Sequence, residues 1–166
     1  MDIMKIGIVG KGFVGSAVQY AFSQKGVNAK IKIYDKDPKK SLHTLDEVIN
    51  ESDFVFLSVP TPSNEDGTIN IDIVDDILKE IDELIKKDTI ILLRSTMVPG
   101  STENFQKKYP KLKLVFNPEF LTEKNSNHDF INQSRVILGG LNNEVDKVAT
   151  LYRWRFGNSI PIIKTN

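Results

Sequence analysis

The feature that most restricts the fold of this chain is an alternation of short apolar runs, rich in Ile and Val, with longer stretches of helical period. Strands that are apolar on both faces are typical of a parallel sheet, because crossover helices cover both sides of such a sheet. The runs predict strands near Lys5–Val9, Lys30–Tyr34, Phe54–Val59, Thr89–Leu93, Lys113–Phe116, Arg135–Leu138 and Ile160–Ile163. The sequence therefore predicts an α/β fold with a mainly parallel sheet flanked by helices.

The helix between the third and fourth strands is the most clearly marked. Its apolar residues recur at intervals of three and four and form one stripe, made of Val74, Ile77, Leu78, Ile81, Leu84 and Ile85. Acidic residues crowd its start and lysines follow its end, which is the polarity that the helix dipole favours. By contrast, the polar stretch Pro62–Asn70 and the aperiodic stretch Thr122–Gln133 are expected to be loops.

Length and composition indicate one domain that spans residues 1–166. A chain of 166 residues, 40% of them hydrophobic, can bury a single full core. The 22 basic and 22 acidic residues balance, so we expect no nucleic-acid or membrane partner and favour small molecules. No apolar run reaches the roughly 18 residues of a membrane span, and we expect a cytoplasmic protein.

The absence of cysteine excludes several kinds of site. With no Cys, the sequence provides no disulfide scaffold, no thiolate metal site and no cysteine nucleophile. Its two histidines, His43 and His128, are far apart and have no neighbouring ligand types, so we expect surface roles for them and no metal site.

A glycine-rich turn follows the first predicted strand at once. The turn consists of Gly10, Lys11, Gly12, Phe13, Val14 and Gly15. It opens a segment that is predicted to be helical over Ala17–Ser23. One glycine permits the tight turn, one lets the backbone approach a pyrophosphate, and one allows the helix to pack closely on the strand. The pattern predicts the phosphate-binding turn of a Rossmann-type, doubly wound domain, with the phosphate on free N–H groups at the helix start.

An acidic residue at the end of the second predicted strand indicates which dinucleotide would bind. Asp35 lies about twenty residues after the last glycine, where the carboxylate that binds the adenosine ribose is expected. A carboxylate there repels a 2′-phosphate, so the sequence favours NAD over NADP. The alternative is purely structural: the glycines would only make a turn, and Asp35 would only begin the loop at Asp37-Pro38.

Three further motifs each follow a predicted strand, the third, the fourth and the fifth. They are Ser58–Pro62 with Asp66-Gly67 after it, Arg94–Thr102, and Asn117–Glu123. The carboxyl ends of parallel strands meet at one edge of a sheet, so these motifs should converge beside the glycine turn. Together with Arg135–Gly140, this order of motifs resembles the NAD-binding domain of the UDP-glucose, GDP-mannose and related nucleotide-sugar 6-dehydrogenases. The resemblance covers essentially the whole chain.

The resemblance implies an NAD-dependent oxidation. Enzymes of that family convert a C6 alcohol to a carboxylate in two hydride transfers, using two NAD and a thioester on a cysteine. Asp35 and Lys40 match positions that hold the adenosine ribose, and Thr61 and Thr96 match threonines beside the nicotinamide. The cofactor-binding residues would be Gly10, Gly12, Phe13, Val14, Gly15, Asp35, Lys40, Thr61, Thr96 and Glu123.

The same resemblance implies catalytic roles for Thr96, Glu119 and Glu123. Thr96 would position a water, Glu119 would act as general acid/base or activate water, and Glu123 would lie near the nicotinamide and the water network. Glu119 and the backbone of Phe120 and Leu121 would contact the sugar. Because the two glutamates are four residues apart, they could share one face of a short turn and serve one substrate.

Structural explanations compete with these roles. Thr61 and Thr96 would then only satisfy backbone groups at strand ends, and Glu119 would only cap the turn after the fifth strand. The match at Glu123 is weaker, because the family continues with a glycine and small residues where this chain has Lys124–Asn127.

The resemblance also implies that part of the active site lies outside this sequence. In the family, the nucleophilic cysteine and most sugar contacts belong to a central helix and a second α/β domain. The connection between Asp35 and Phe54 is also shorter than in the family and lacks a helical insertion that helps to enclose the cofactor. Without a thiol we expect the isolated chain to be inactive, because the thioester has no nucleophile.

Two hypotheses for the function remain open. In the first, the chain is the NAD-binding domain of a nucleotide-sugar dehydrogenase, with NAD and a nucleotide sugar as ligands. The surface left by the missing central helix would then bind a second polypeptide or another copy of the chain. In the second, it is a stand-alone, non-catalytic NAD-binding or assembly module. A dehydrogenase of the 3-hydroxyacid type would explain the glycine turn but not the later motifs.

Overall fold

The structure of this chain, a computed structural model, describes residues 2–165. The strands are β1 (Met4–Val9), β2 (Ala29–Tyr34), β3 (Phe54–Leu57), β4 (Ile90–Leu93), β5 (Lys113–Phe116), β6 (Val136–Gly140) and β7 (Ile162–Thr165). The helices are α1 (Phe13–Phe22), α2 (Leu45–Asn50), α3 (Asp72–Leu84), α4 (Ser101–Lys108), α5 (Ser126–Ile131) and α6 (Asn142–Phe156). A 3-10 turn, Glu123–Asn125, precedes α5. No helix within residues 2–165 has both the length and the apolar character that a membrane crossing needs.

The seven strands form one sheet in the order β2-β1-β3-β4-β5-β6-β7. Strands β1 to β5 are parallel to one another, whereas β6 is antiparallel to β5 and β7 is parallel to β6. The chain places β2 on one side of β1 and β3 on the other, so the strand order reverses direction beside β1. In open α/β sheets, ligands bind outside the carboxyl ends of the strands at such a reversal. The prediction of a Rossmann-type, doubly wound and mainly parallel sheet is confirmed.

Helices cover both faces of the sheet, because successive strand residues point to opposite sides. One core contains Ile8, Phe56 and Leu92 together with residues of α1, α5 and α6. The other core contains Val55 and Leu57 together with residues of α2, α3 and α4. Burial of the central strands on both faces explains why the sequence shows continuous apolar runs there.

Four strand ends lie two residues from their predicted positions, namely the end of β3, the end of β6 and both ends of β7. A proline lies near two of these ends. Strand β3 ends at Leu57, short of the predicted end at Val59, and Pro60 follows. Strand β7 begins at Ile162, directly after Pro161. Proline has no N–H to donate to the ladder, which confines it to the margins of a sheet.

The expectation of a loop over Thr122–Gln133 is wrong, because the 3-10 turn and α5 occupy most of this stretch. Helix α5 has only six residues and buries only Phe130, so it shows no apolar period in the sequence. The ring of Phe130 meets the ring of Phe156 edge-on, with 5.5 Å between the ring centroids, and this contact anchors the helix on the first core. The stretch Pro62–Asn70 is a loop, as expected.

Helix α3 is tied to the end of α4 through one carboxylate. Asp75 accepts hydrogen bonds from the Tyr109 hydroxyl at 2.7 Å and from Lys108 Nζ at 2.6 Å. Partial burial alone would raise the pKa of Asp75, but the bonds from Lys108 and Tyr109 outweigh it and lower the pKa below the ordinary 3.8. Burial, with Asp75 beside it, raises the pKa of Tyr109 above 10.0.

This cluster predicts a loss of stability at both ends of the pH range. The contribution of Asp75 to the free energy of unfolding is complete above its unfolded pKa of 3.8. It is lost as pH falls through the lower pKa of the folded protein. The contribution of Tyr109 is complete below 10.0 and is lost as pH rises through the higher folded value. We expect Asp75→Asn to lower the free energy of unfolding at neutral pH by about 1 kcal/mol.

Urea unfolding of both proteins from about pH 3 to pH 7 checks this expectation, since carboxylate titration falls in that range. The difference between wild type and Asp75→Asn should shrink toward the acid end. A difference that stays constant with pH would show that the charge of Asp75 contributes nothing. Asp88→Asn is the control, because Asp88 pairs with Lys113 but its side chain is 86% exposed.

Candidate functional site

A groove of about 700 Å³ lies at the carboxyl edge of the sheet, beside the reversal in strand order. Of the residues singled out in the sequence, its walls include Gly10, Gly12, Phe13, Val14, Asp35, Lys40, Thr61, Thr96 and Glu119. The remaining residues lie elsewhere. Gly15 packs against Gly10 within the turn, Phe120 and Leu121 line a second cavity, and Glu123 lines neither space.

The three glycines of the turn meet three different surroundings. A Cβ on Gly10, whose φ is +92°, would lie 2.3 Å from the carbonyl oxygen of Ser58 at the end of β3. A Cβ on Gly15 would lie 2.0 Å from the carbonyl oxygen of Gly10. A Cβ on Gly12 would have no atom within 4 Å, because this residue faces the open groove. Gly10 and Gly15 are therefore needed by the fold, whereas Gly12 leaves the backbone accessible to a ligand.

Helix α1 begins at Phe13, within the glycine turn, and the predicted start at Ala17 is wrong. A glycine in the first turn counts against a helix in the sequence, but close packing requires Gly15 there. The residue before the helix, Gly12, offers no side-chain cap. The first N–H groups of α1 therefore have no intrahelical acceptor, and they lie where the helix dipole favours an anion.

The carboxylate of Asp35 connects the end of β2 to the glycine turn. Its Oδ2 accepts from the backbone N–H of Lys11 at 2.6 Å, and its Oδ1 accepts from the backbone N–H of Asp37 at 2.8 Å. The second bond is the local role that the structural alternative gives to Asp35. A carboxylate oxygen can accept about two hydrogen bonds, so both oxygens keep capacity for a ligand hydroxyl.

The segment that carries Lys40 folds back on the free edge of β2. The N–H groups of Leu42 and His43 donate to the carbonyl oxygen of Ile33 at 3.1 and 2.9 Å. The N–H of Ile33 donates in return to His43 Nδ1 at 3.0 Å. His43 thus covers an edge strand, a structural role that the sequence did not suggest. This pairing fixes the position of Lys40 at the rim of the groove.

Hydroxyl groups line the end of the groove that lies over β3 and β4. Those of Thr61 and Thr96 form no hydrogen bond within residues 2–165, so the alternative that they only satisfy backbone groups is not realised. Ser95 does have such a role, since its Oγ donates to the carbonyl oxygen of Val59 at 2.6 Å. In the described part of the chain, Ser58 Oγ is buried and has no partner.

A second cavity, of about 310 Å³, lies between the loop after β5, helix α5 and the start of β6. Glu119 and Arg94 line both this cavity and the groove, so the two spaces adjoin at these side chains. Phe120 and Leu121 line only the second cavity. The guanidinium of Arg135 lies over the exposed ring of Phe120, 5.0 Å from its centroid.

Glu119 and Glu123 do not share one turn, and that expectation is wrong. Thr122 between them is extended, with φ −91° and ψ 139°, and the 3-10 turn starts only at Glu123. Glu119 Oε2 accepts from the backbone N–H of Leu121 at 2.6 Å, which is the local capping role considered above. Its Oε1 has no partner in the described part of the chain and remains available to a ligand. Glu123 is exposed to solvent.

A buried cation for which the sequence predicted no role, Arg94, lies between the two spaces. Arg94 is 3% exposed, and its Nη1 donates to Asn117 Oδ1 at 2.7 Å and to the Tyr152 hydroxyl at 3.0 Å. The hydroxyl of Tyr152 donates to the same Asn117 oxygen. Burial raises the pKa of Tyr152, which keeps it protonated as this donor. An arginine directly after an all-apolar strand was the signal that could have indicated this network.

The far wall of the groove was also missed. One face of α3 provides it, with the side chains of Ile73, Asp76, Ile77 and Glu80. Ile77 belongs to the apolar stripe predicted to face the core, whereas the residues of α3 that are fully buried are Val74, Leu78 and Ile81. The apolar stripe seen in the sequence therefore contributes side chains both to the core and to the wall of the groove.

The fold and the groove together define a dinucleotide-binding α/β domain. The uncapped start of α1, the open face of Gly12 and the carboxylate of Asp35 meet at the reversal in strand order. Residues 39–155 match the model of the UDP-glucose/GDP-mannose dehydrogenase family, NAD binding domain. This match covers more than half of the chain, and the chain belongs to that family. The cofactor of the domain is NAD.

Relatives of known activity are considerably longer than this chain. The UDP-glucose 6-dehydrogenase of Rickettsia typhi is 32% identical over 119 residues, 69% of this chain and 27% of that protein. A GDP-mannose dehydrogenase of Pseudomonas aeruginosa, solved as a ternary complex, has a TM-score of 0.83 and 22% identity, over 98% of this chain and 46% of that one. A UDP-glucose dehydrogenase of Pyrobaculum islandicum has a TM-score of 0.82 and 20% identity, and the match covers 99% of this chain and 46% of that one. The chain spans less than half the length of each.

The residues of the groove fit NAD. Gly12 presents backbone without a side chain, which a pyrophosphate needs in order to approach the start of α1. Asp35 keeps carboxylate oxygens with free acceptor capacity, which ribose hydroxyls require, and the buried, unpartnered Ser58 Oγ is a polar group that lacks an interaction within residues 2–165. Across the described residues, no group of three or more His, Asp or Glu side chains is arranged to hold a metal ion.

Proposed function

We propose that the groove binds NAD with its pyrophosphate on the start of α1, its adenosine ribose on Asp35 and its nicotinamide toward Thr61 and Thr96. The observation that carries this proposal is a single groove that joins the uncapped helix start to the Asp35 carboxylate. The helix dipole favours the phosphates at Gly12, and the acid favours the neutral ribose hydroxyls over another anion. Lys40 at the rim adds a positive charge beside the dinucleotide.

We propose that the second ligand is a nucleotide sugar, placed with its sugar in the second cavity against Phe120 and Leu121. Glu119 lines both spaces, so a substrate hydroxyl between them would lie near the nicotinamide end of the groove. Bound NAD would supply the hydride acceptor. Glu119 Oε1, which has no partner within residues 2–165, would accept the proton of the C6 hydroxyl. The hydroxyl of Thr96 would hold a water there, and Glu123 has no part in this proposal because it lines neither space.

The proposed enzyme needs a further polypeptide segment. The thioester step requires a thiol, and no cysteine occurs among these 166 residues. A second copy of the same residues would not provide one either. We propose that the thiol and the remaining sugar contacts come from a different segment of polypeptide that docks on this domain.

The second candidate function is a non-catalytic NAD-binding or assembly module, and the lack of cysteine also favours it. An assay for NADH with UDP-glucose or GDP-mannose, with and without a cysteine-containing domain of a family relative, separates the two candidates. NADH that appears only with the added domain supports the dehydrogenase. NAD binding without NADH under both conditions supports the module, and NADH from the chain alone would contradict its incompleteness.

Asp35→Ala is expected to weaken NAD binding by about 1–3 kcal/mol, the scale for losing hydrogen bonds to a charged group. The substitution removes the ribose acceptor and also releases the Lys11 N–H that the carboxylate holds. Calorimetric titration with NAD measures the change. Unchanged affinity would remove Asp35 from the site.

Asp37→Ala is the matched control for this experiment. Asp37 lies two residues further along the chain, is exposed, and does not line the groove. Among residues 2–165, the one donor to its carboxylate is the backbone N–H of Lys39, at 3.0 Å. We expect the Asp37 variant to bind NAD as the wild type does, so a loss of affinity in both variants would indicate a general effect of the loop.

A further inference from the structure

The wall that α3 contributes to the groove combines two apolar and two acidic side chains. These side chains lie three, one and three residues apart along α3, which places them on one face of the helix: Ile73, Asp76, Ile77 and Glu80. Ile73 is 42% exposed, although it is a large aliphatic side chain beside a concave surface. An exposed apolar side chain in a groove marks a place where a flat apolar group can be buried.

The two acids of this wall are unpaired. Within residues 2–165, neither Asp76 nor Glu80 forms a hydrogen bond or an ion pair. Two other acids of the same helix are paired with lysines: Asp75 with Lys108, and Asp82 with Lys111 at 3.8 Å. The carboxylates that face the groove are therefore free acceptors.

The position of this wall relates it to one end of the dinucleotide. Tyr34, which directly precedes Asp35, packs against the same hydrophobic core as Ile77. The end of β2 and this face of α3 thus pack on the same side of the sheet, and both line the groove. A ribose on Asp35 carries its base away from the pyrophosphate, into the space that both of them line. Two carboxylates would repel the phosphates, so this part of the groove suits the base.

We propose that Asp76 and Glu80 accept the hydrogen bonds of the exocyclic amino group of adenine and so make the domain selective for an adenine base. The proposal rests on the proposed binding of NAD, with its ribose on Asp35. Ile73 and Ile77 pack against the face of the ring, and the two carboxylates meet its edge. The site is thereby a specificity determinant separate from the phosphate turn and the ribose acceptor.

The chemistry of the base edge explains the selectivity. Adenine presents an amino group, which is a donor, at the position where hypoxanthine presents a carbonyl oxygen, which is an acceptor. Carboxylates at neutral pH only accept hydrogen bonds. They bind the amino group and repel the carbonyl oxygen, so acceptors at the exocyclic position discriminate against an analogue whose exocyclic group is itself an acceptor.

The test compares NAD with nicotinamide hypoxanthine dinucleotide, in which a carbonyl oxygen replaces the amino group and the neighbouring ring nitrogen N1 carries a proton. We expect the wild type to bind NAD about tenfold more tightly or better, which is the scale for a hydrogen bond to a charged acceptor. In Asp76→Asn/Glu80→Gln, the side-chain amides can donate to the carbonyl oxygen, and we expect the preference to disappear or reverse. Titration calorimetry of both ligands on both proteins gives the four affinities.

Glu83→Gln is the matched control, because Glu83 is an exposed acid of the same helix that does not line the groove. It changes the charge of α3 without touching the proposed site, and it should keep the preference for NAD. Equal wild-type affinities for the two dinucleotides would overturn the adenine contact while leaving NAD binding intact. Failure to bind either dinucleotide would overturn the proposed function and the adenine contact together.

Discussion

Gly15→Ala is expected to lower the free energy of unfolding by about 3 kcal/mol or more, at the upper end of what overpacking costs. The added Cβ would lie 2.0 Å from the carbonyl oxygen of Gly10, so backbone would meet backbone. No rotamer change can relieve that contact, because neither group belongs to a flexible side chain. Helix α1 would have to move away from the turn. Urea unfolding of the purified variant measures the loss.

Gly12→Ala provides the matched comparison within the same turn. Its Cβ would meet no atom within 4 Å, and the residue has φ −81°, which alanine adopts readily. We expect the free energy of unfolding to change by less than about 1 kcal/mol. We expect NAD affinity to fall about tenfold or more, because the methyl group stands where the pyrophosphate approaches the backbone.

The pair of variants separates the two functions of the turn. Two results would contradict the geometry of the turn. One is a Gly12→Ala variant that loses stability but binds NAD normally, and the other is a Gly15→Ala variant that is as stable as the wild type. Weak NAD binding by a fully stable Gly12 variant would place the pyrophosphate on the start of α1. Calorimetry with NAD and urea unfolding, on the same protein preparations, give both quantities.

The second large effect is expected at Asn117, where Asn117→Ala should lower the free energy of unfolding by about 3–5 kcal/mol. Asn117 Oδ1 accepts from both Arg94 and Tyr152. Its removal leaves the guanidinium of Arg94, a residue that is 3% exposed, with fewer partners, and no ion pair of the described residues includes Arg94. The amide of Asn117 also donates to the carbonyl oxygen of Ile137 at 3.1 Å, which joins β5 to β6.

Tyr152→Phe is the control for this network. It removes one hydroxyl and leaves Asn117 bound to Arg94, so the expected loss is only about 1–2 kcal/mol. The double variant Arg94→Met/Asn117→Leu removes the charge together with its acceptor. We expect it to be more stable than Asn117→Ala, because apolar replacement of a buried polar network is often tolerated. Equal losses for Asn117→Ala and the double variant would show that the buried charge does not determine the cost.

The sheet was predictable because its central strands are buried on both faces, so each of them appears in the sequence as a continuous apolar run. The turn was predictable because the positive φ of Gly10 and the close contact of Gly15 leave glycine as the fitting residue at both positions. Helix α5 was not predictable, since one buried residue, Phe130, establishes no period. The buried hydrogen bonds among Arg94, Asn117 and Tyr152 join residues that are far apart in the sequence, and no local pattern predicts them.

The candidate site was predictable to a similar extent. Thr61, Thr96 and Glu119, which follow three different strands, all line the groove, because parallel topology brings the strand ends to one edge. Glu123 does not line it, because the extended Thr122 moves it away from Glu119. The acids of α3 that face the groove were overlooked because exposed carboxylates on a helix normally indicate only a solvated surface. Only the fold shows which side of that helix meets the groove.

The bond between Asp35 and Lys11 bears on how such a domain could change its coenzyme during evolution. The carboxylate that would reject a 2′-phosphate also holds the backbone N–H of Lys11 in the glycine turn. A substitution that admits NADP would therefore loosen the part of the site that both coenzymes share. We expect single mutants at this position to bind both coenzymes poorly, so that a lineage would need a compensating change near Lys11 before it could use NADP.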